Sequence, residues 1–112
     1  MAKLRLAPTP SGFLHLGNGV NFALNALYAQ ALGARLLLRI DDMDAERKRP
    51  EYVQDVFDTL RWMGIEWQEG PADATDFEAR WSNRCRMGLY EKVLEHVAAA
   101  GLVYACAKSR KD

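Results

Sequence analysis

The spacing of hydrophobic positions along this 112-residue chain changes several times, and each change marks an element. Leu4 and Leu6 alternate with Lys3, Arg5 and Ala7 in the two-residue period of a strand, and Pro8 and Pro10 then remove two backbone donors and end any regular ladder. Ser11-Gly12 supplies turn chemistry. Over residues 18–32 the period lengthens to that of a helix, with Val20, Leu24, Leu27 and Ala31 on one stripe and Gly33 placed to stop it. Residues 34–40, ARLLLRI, are a nearly continuous apolar run of the kind expected of a parallel strand covered on both faces. Pro50 at a first helical turn, followed by Val53, Val56, Phe57, Leu60 and Met63, predicts a second amphipathic helix that Gly64 closes. Residues 73–79 read as polar and exposed. Residues 81–100 predict a third helix, with Met87, Tyr90, Val93, Leu94 and Val97 on one face and Gly101 as its stop, and residues 102–107 a short third strand.

Strand, helix and strand within about forty residues form a βαβ unit, whose right-handed crossover makes the two strands parallel. The chain is expected to fold as a three-layer α/β unit, a partial Rossmann-like nucleotide-binding fold of parallel strands with covering helices. Leu6, Leu24, Leu38, Phe57, Leu60, Tyr90, Val93 and Leu94 are its expected core, with Trp62 and Trp67 as packing residues. The turn after the first strand and the end of the second then lie side by side at the carboxyl edge, where such sheets bind ligands.

Composition narrows the class. The chain is 49% hydrophobic and 27% charged, ordinary for one small globular domain spanning residues 1–112. Fifteen basic and fifteen acidic residues cancel, so there is no overall basic signature of a nucleic-acid binder. The N-terminus lacks a signal pattern and no apolar run reaches membrane length, which points to the cytoplasm and no membrane partner. Cys85 and Cys106 imply no disulfide framework, and no repeat or low-complexity tract is present.

Residues 5–18, RLAPTPSGFLHLGN, carry the chemistry. A helix start presents unpaired N–H groups and partial positive charge, which favours phosphate oxygens in front of it. His15 stands at that entrance, and Gly17 lets a ligand approach the backbone closely. An imidazole there can donate to a phosphate as charge builds on it, which suits a reaction run by positioning and charge stabilisation. Taken alone, a His beside a Gly in a loop is more often an ordinary loop residue than a functional one.

The whole stretch resembles the first signature of class I aminoacyl-tRNA synthetases, in particular the glutamyl branch that includes the glutamyl-queuosine tRNA(Asp) enzymes. Arg5, Ala7, Pro8, Pro10, Gly12, Leu14, His15 and Gly17 stand at that family's R-x-A-P-S-P-T-G-x-L-H-x-G spacing, with Thr9 and Ser11 exchanging its two hydroxyl residues and Asn18 at the variable last position. The resemblance implies catalytic roles for His15 and Gly17, ATP binding by Pro8, Gly12, His15, Gly17 and Asn18, and Mg2+ arriving with ATP. It implies glutamate binding by Arg5, Ala7, Thr9 and Asp41, with the planar Arg5 fork on a carboxylate and Asp41 facing the amino group.

Asp41 belongs to a second motif, residues 39–50 (RIDDMDAERKRP), similar to the family's R-I-E-D-T-D-x-x-R-x-R-P-E, with Asp in place of its first Glu. The carboxylates of Asp41, Asp42 and Asp44 suit either a divalent metal or a loop charge-paired with Arg39, Arg47 and Arg49, and the second reading is favoured. Around Cys106 the chain resembles the family's Y-x-C-x-C-S-R segment, with Lys108 at the second cysteine. One thiol without a nearby His cannot fill a tetrahedral zinc site, so no zinc is expected and Cys106 reads as a buried apolar thiol.

The implied activity is that of a ligase, the N-terminal half of a synthetase catalytic domain that activates glutamate with ATP and transfers it to tRNA. The family's insertion that holds the tRNA end and its lysine-rich KMSKS-type loop have no counterpart among these residues. The alternatives are a non-catalytic paralogue that binds nucleotide, amino acid or a partner protein, and an unrelated Rossmann-like domain. Apolar surface left bare would favour self-association.

Overall fold

The computed structural model describes residues 2–109. Strand β1 (Lys3–Leu6) leads into helix α1 (Leu16–Leu32), strand β2 (Arg35–Leu38) and helix α2 (Pro50–Trp62). A single turn, α3 (Ala74–Asp76), runs into a wide π-helical turn (Phe77–Trp81) and a tight 3-10 turn (Asn83–Arg86) before helix α4 (Met87–Ala99). Helices α1 and α2 each end as the following glycine predicts. At Gly33 (φ 61°) the Ala34 N–H reaches back to Ala29 O at 2.8 Å, and at Gly64 (φ 70°) the Ile65 N–H reaches Leu60 O at 2.9 Å. No helix among the described residues is long and apolar enough to cross a membrane.

The strands are parallel neighbours in the register Lys3↔Arg35 to Leu6↔Leu38, as expected for a partial Rossmann-like unit. The pairing continues past the strand ends, with Arg39 N donating to Leu6 O (2.8 Å) and Asp41 N to Pro8 O (3.1 Å). Burial alternates with the same period. Leu6, Pro8 and Pro10 are buried on one segment and Leu36, Leu38, Ile40 and Asp42 on the other, while Lys3, Arg5, Ala7, Thr9, Arg35 and Arg39 are exposed and Leu37 and Asp41 half-buried. The sheet therefore has one covered face and one open face. Two layers stand where three were expected, because α1 and α2 share a single core on the covered side: Phe22, Ala29, Val53, Val56, Phe57, Leu60 and Ile65 meet Leu6, Leu36 and Leu38 there. On its outer edge β2 is lined by Gln68 and Glu69, through Leu38 N to Glu69 O and Gln68 N to Leu36 O, each 2.9 Å. Gly70 follows at φ 115°, and any Cβ there would collide with the Leu38 carbonyl.

Several expectations fail in instructive ways. The α1 stripe of Val20, Leu24 and Leu27 is exposed and Phe22, with Ala26 and Ala29, faces the sheet instead, because α1 is apolar around most of its circumference and period alone selects no face. In α4 no residue is buried: Tyr90 and Val97 are half-exposed, and Val93 and Leu94 are open to solvent. That helix begins at Met87, not 81, and residues 102–109 form no third strand and are all exposed, Cys106 included. The stretch 73–79, read as polar and exposed, instead turns Phe77 fully inward. Trp62 lies on the surface, whereas Trp67 packs 6.0 Å from the Phe57 ring and donates its indole N–H to Pro71 O.

Candidate functional site

The two motifs converge at the carboxyl edge of the sheet. The Pro8 carbonyl accepts the Asp41 N–H, so the turn after β1 and the end of β2 are directly bonded. By the alternation of the sheet, Arg5, Ala7, Thr9 and Asp41 share its open face, whereas Pro8 and Pro10 point into the covered side. That open face is rich in cations. Glu69 pairs with Lys3 (2.7 Å) and Arg35 (3.5 Å), and the hydrogen bond from Lys3, with charge from both partners, holds the Glu69 carboxyl below the usual range. Arg5 and Arg39 form no ion pair with any described residue. By that alternation two planar guanidiniums share the open face with Asp41.

The start of α1 is closed on itself. His15 is the residue at the cap, and its Nδ1 accepts the Gly17 N–H at 3.1 Å while the Asn18 side chain accepts the His15 N–H at 3.0 Å. The Asn18 and Gly19 N–H groups turn to the His15 carbonyl. The open row of donors expected for a phosphate is in this state occupied internally, and His15 must turn aside to release the Gly17 amide. The cap assigns the ring proton to Nε2, which leaves an Nε2–H donor on an exposed side chain. Gly17 fits for a steric reason: a Cβ there would sit 2.9 Å from His15 Cε1 and 3.0 Å from Nδ1. Gly12 is half-buried with open space around it. Between them, Leu14 N donates to Asp55 Oδ2 of α2 (2.8 Å) and the Phe13 ring meets Tyr52 edge-on at 4.9 Å, which anchors the loop to the core.

The acidic motif is held by residues the sequence reading passed over. Asp42 is 2% exposed, and its carboxylate accepts the Asn83 N–H (2.7 Å), the Ser82 hydroxyl and Lys48 Nζ (3.0 Å). Burial by itself raises its pKa, but the bonds from Ser82, Asn83 and Lys48 outweigh that and bring it below the ordinary value. Lys48 also pairs with Glu78 at 2.7 Å. Asp41 Oδ1 accepts the Asn83 side-chain amide at 2.6 Å and the Met43 N–H at 3.3 Å. The loop is charge-paired, but through Lys48 above all. Of the three arginines expected to do this, Arg47 alone pairs among the described residues, with Asp44 at 3.4 Å, and Arg39 and Arg49 have no such pair there. Among the described residues no group of three or more His, Cys, Asp or Glu is gathered as a metal site. Ser82 and Asn83 fall inside the helix predicted over 81–100, although two adjacent capping-type residues ahead of Met87 are a boundary signal.

Two grooves lie elsewhere. One of about 760 Å3 runs between α1 and the α2 end, past Ala26, Gln30, Met63 and Gln68, and another of about 740 Å3 lies along Arg61, Trp67 and Ala72. No residue of either motif lines them.

Residues 1–112 match the family described as tRNA synthetases class I (E and Q), catalytic domain. Over all 112 residues the chain is 46% identical to glutamate–tRNA ligase 2 of Acidiphilium cryptum, spanning 23% of that protein. It is 41% identical over the same length to a glutamyl-Q tRNA(Asp) synthetase of Nitratidesulfovibrio vulgaris, spanning 34% of it. A crystal structure of a glutamate tRNA ligase from Elizabethkingia meningosepticum, in complex with its amino acid, is similar with a TM-score of 0.71 at 27% identity, over 88% of this chain and 19% of that one. The chain thus covers only a minor share of each relative's length.

Proposed function

Because the chain belongs to the class I tRNA synthetase family of the E and Q type, catalytic domain, we propose that it is the N-terminal half of a glutamate-activating unit, with the amino acid on the open sheet face and ATP at the start of α1. The observation that carries this reading is the shared face of Arg5, Ala7, Thr9 and Asp41, with no ion pair between Arg5 and any described residue. Arg5 meets one glutamate carboxylate with its two-pronged fork, and Asp41 meets the ammonium. Ala7 is small enough to let the ligand lie against the backbone, and Thr9 offers a hydroxyl.

In the reaction, an oxygen of the glutamate α-carboxylate attacks the α-phosphorus of ATP. The bond to the bridging oxygen breaks and pyrophosphate leaves with its electron pair, giving glutamyl-adenylate; the 3′-terminal ribose hydroxyl of tRNA then displaces AMP. Pro8 and Gly12 shape the turn that receives the nucleotide, and His15, swung from its cap, donates Nε2–H toward phosphate while the freed Gly17 N–H and the Asn18 side-chain amide lie beneath it. Mg2+ enters with the triphosphate, and no zinc is held. The partners are ATP, glutamate and tRNA, and a second copy of the chain meets the apolar stripes of α1 and α4.

Charge on the departing pyrophosphate needs cations. Among the described residues the His15 ring and N–H bond only Gly17 and Asn18, and no Lys or Arg, and losing a single preorganised donor already costs about 100-fold to 1,000-fold in rate. The chain alone is expected to bind ATP and to give no measurable ATP–pyrophosphate exchange, with ATP binding weakened in His15→Ala. Exchange near the rate of a full-length synthetase would refute the half-site reading. Absence of ATP binding in calorimetry would favour a non-catalytic module.

A further inference from the structure

We infer that Asn83 is a positioning residue for amino-acid recognition: it holds the Asp41 carboxylate in the orientation that selects a ligand bearing an ammonium group. The inference rests on the proposal that Asp41 meets that group. Asn83 is 3% exposed, and its two donors are divided between neighbouring acids. Its backbone N–H goes to Asp42 Oδ1 and its side-chain amide to Asp41 Oδ1. The second donor to Asp41, the Met43 N–H, goes to the same oxygen. Oδ2 of Asp41 accepts nothing from any described residue, so the carboxylate is fixed by one oxygen and presents the other.

Two consequences follow from charge and geometry. An aspartate held only by its backbone swings through its rotamers, and ordering it at the moment of binding costs affinity that Asn83 removes beforehand. Arg5 and Arg39 are exposed without ion pairs in the same region. A released Asp41 is free to pair with a guanidinium and so to cancel the cationic and anionic parts of the recognition surface together. The anchors of Asn83 are separable. Its backbone bond to Asp42, supported by the Ser82 hydroxyl and Lys48, keeps residues 82 and 83 in place whatever the side chain at 83.

The test is calorimetric titration of the 112-residue chain with L-glutamate and with glutarate, which carries the same two carboxylates and no ammonium. Asn83→Ala is expected to weaken glutamate binding about tenfold, the scale of one lost hydrogen bond to a charged group, and to leave glutarate unchanged. Asp41→Asn should show the same selective loss, and the double variant should be no worse than Asp41→Asn alone. Asn83→Ser, which keeps the backbone donor and adds no charge beside Asp41 and Asp42, guards against unfolding and should also lose glutamate selectively. Equal losses for both ligands in Asn83→Ala, or a double variant whose loss is the sum of the two, would show a merely structural Asn83 and overturn the inference. Wild-type chain that ignores glutamate, or Asp41→Asn that binds it normally, would bring down the underlying recognition proposal and this inference with it.

Discussion

The segment from β1 through α2 and the segment from Met87 onward are written in the same code but end differently. Both carry apolar residues at helical spacing and both helices close as expected, yet α2 buries Val53, Val56, Phe57 and Leu60 completely while α4 buries nothing. What separates them is a facing surface. The α2 stripe meets the even-numbered residues of two parallel strands and the inner side of α1, whereas α4 touches chiefly the short turn that precedes it. An amphipathic pattern records which side of a helix gains from burial, and the gain is realised only where a second surface lies against it.

The sharpest way to break this comparison is to remove matched side chains from the two helices. Phe57→Ala opens a cavity in the fully buried core and should cost about 3–5 kcal/mol in urea unfolding, whereas Leu94→Ala, at a site 58% exposed, should stay within about 0.5 kcal/mol. Comparable losses would mean that α4 has a packing partner in solution.

The next test concerns the tie between the regions. Asp42 extends from the end of β2 to Ser82, Asn83 and Lys48, so Asp42→Asn leaves an ammonium and capped N–H groups without their anion and should cost about 3 kcal/mol. Its pH dependence has a definite sign. The folded pKa is lowered, so the unfolded chain takes up the proton first as the solution is acidified, and the stabilisation is complete above about pH 4 and vanishes toward the lower folded value. The stability gap between wild type and Asp42→Asn should therefore be constant near neutrality and shrink below about pH 4. A gap independent of pH down to 3 would show that Asp42 acts by shape alone.

The smallest effect tests what covers the bare stripes. Leu24, Leu27, Leu89, Val93 and Leu94 are each more than half exposed, and such surfaces promote association. The sedimentation coefficient of the wild-type chain should rise with concentration, and that of Leu94→Glu should rise less at unchanged folded stability. A wild-type profile flat at high concentration would remove self-association from the proposal.

Much of the candidate site was legible before any coordinates because its information is local. Pro8, Pro10, Gly12 and Gly17 act on their own stretch of backbone, and His15 caps the helix that starts beside it. The parallel pairing also followed from a short crossover, and with it the side-by-side placement of the turn after β1 and the end of β2. Asn83 was invisible, because a hydrogen bond across 42 positions leaves no mark in a periodic pattern.

By itself, then, the sequence determined the order and type of the first four elements, the glycine stops at Gly33 and Gly64, and the neighbourhood of the two motifs, since each depends on backbone chemistry within a few residues or on one right-handed crossover. Only the tertiary structure decided which side of α1 is buried, that the sheet keeps one face open, that Lys48 and not Arg39 or Arg49 answers Asp42, and that Phe77 turns inward. Those outcomes depend on which surfaces come to lie opposite one another, and burial and ion pairing are properties of both partners together.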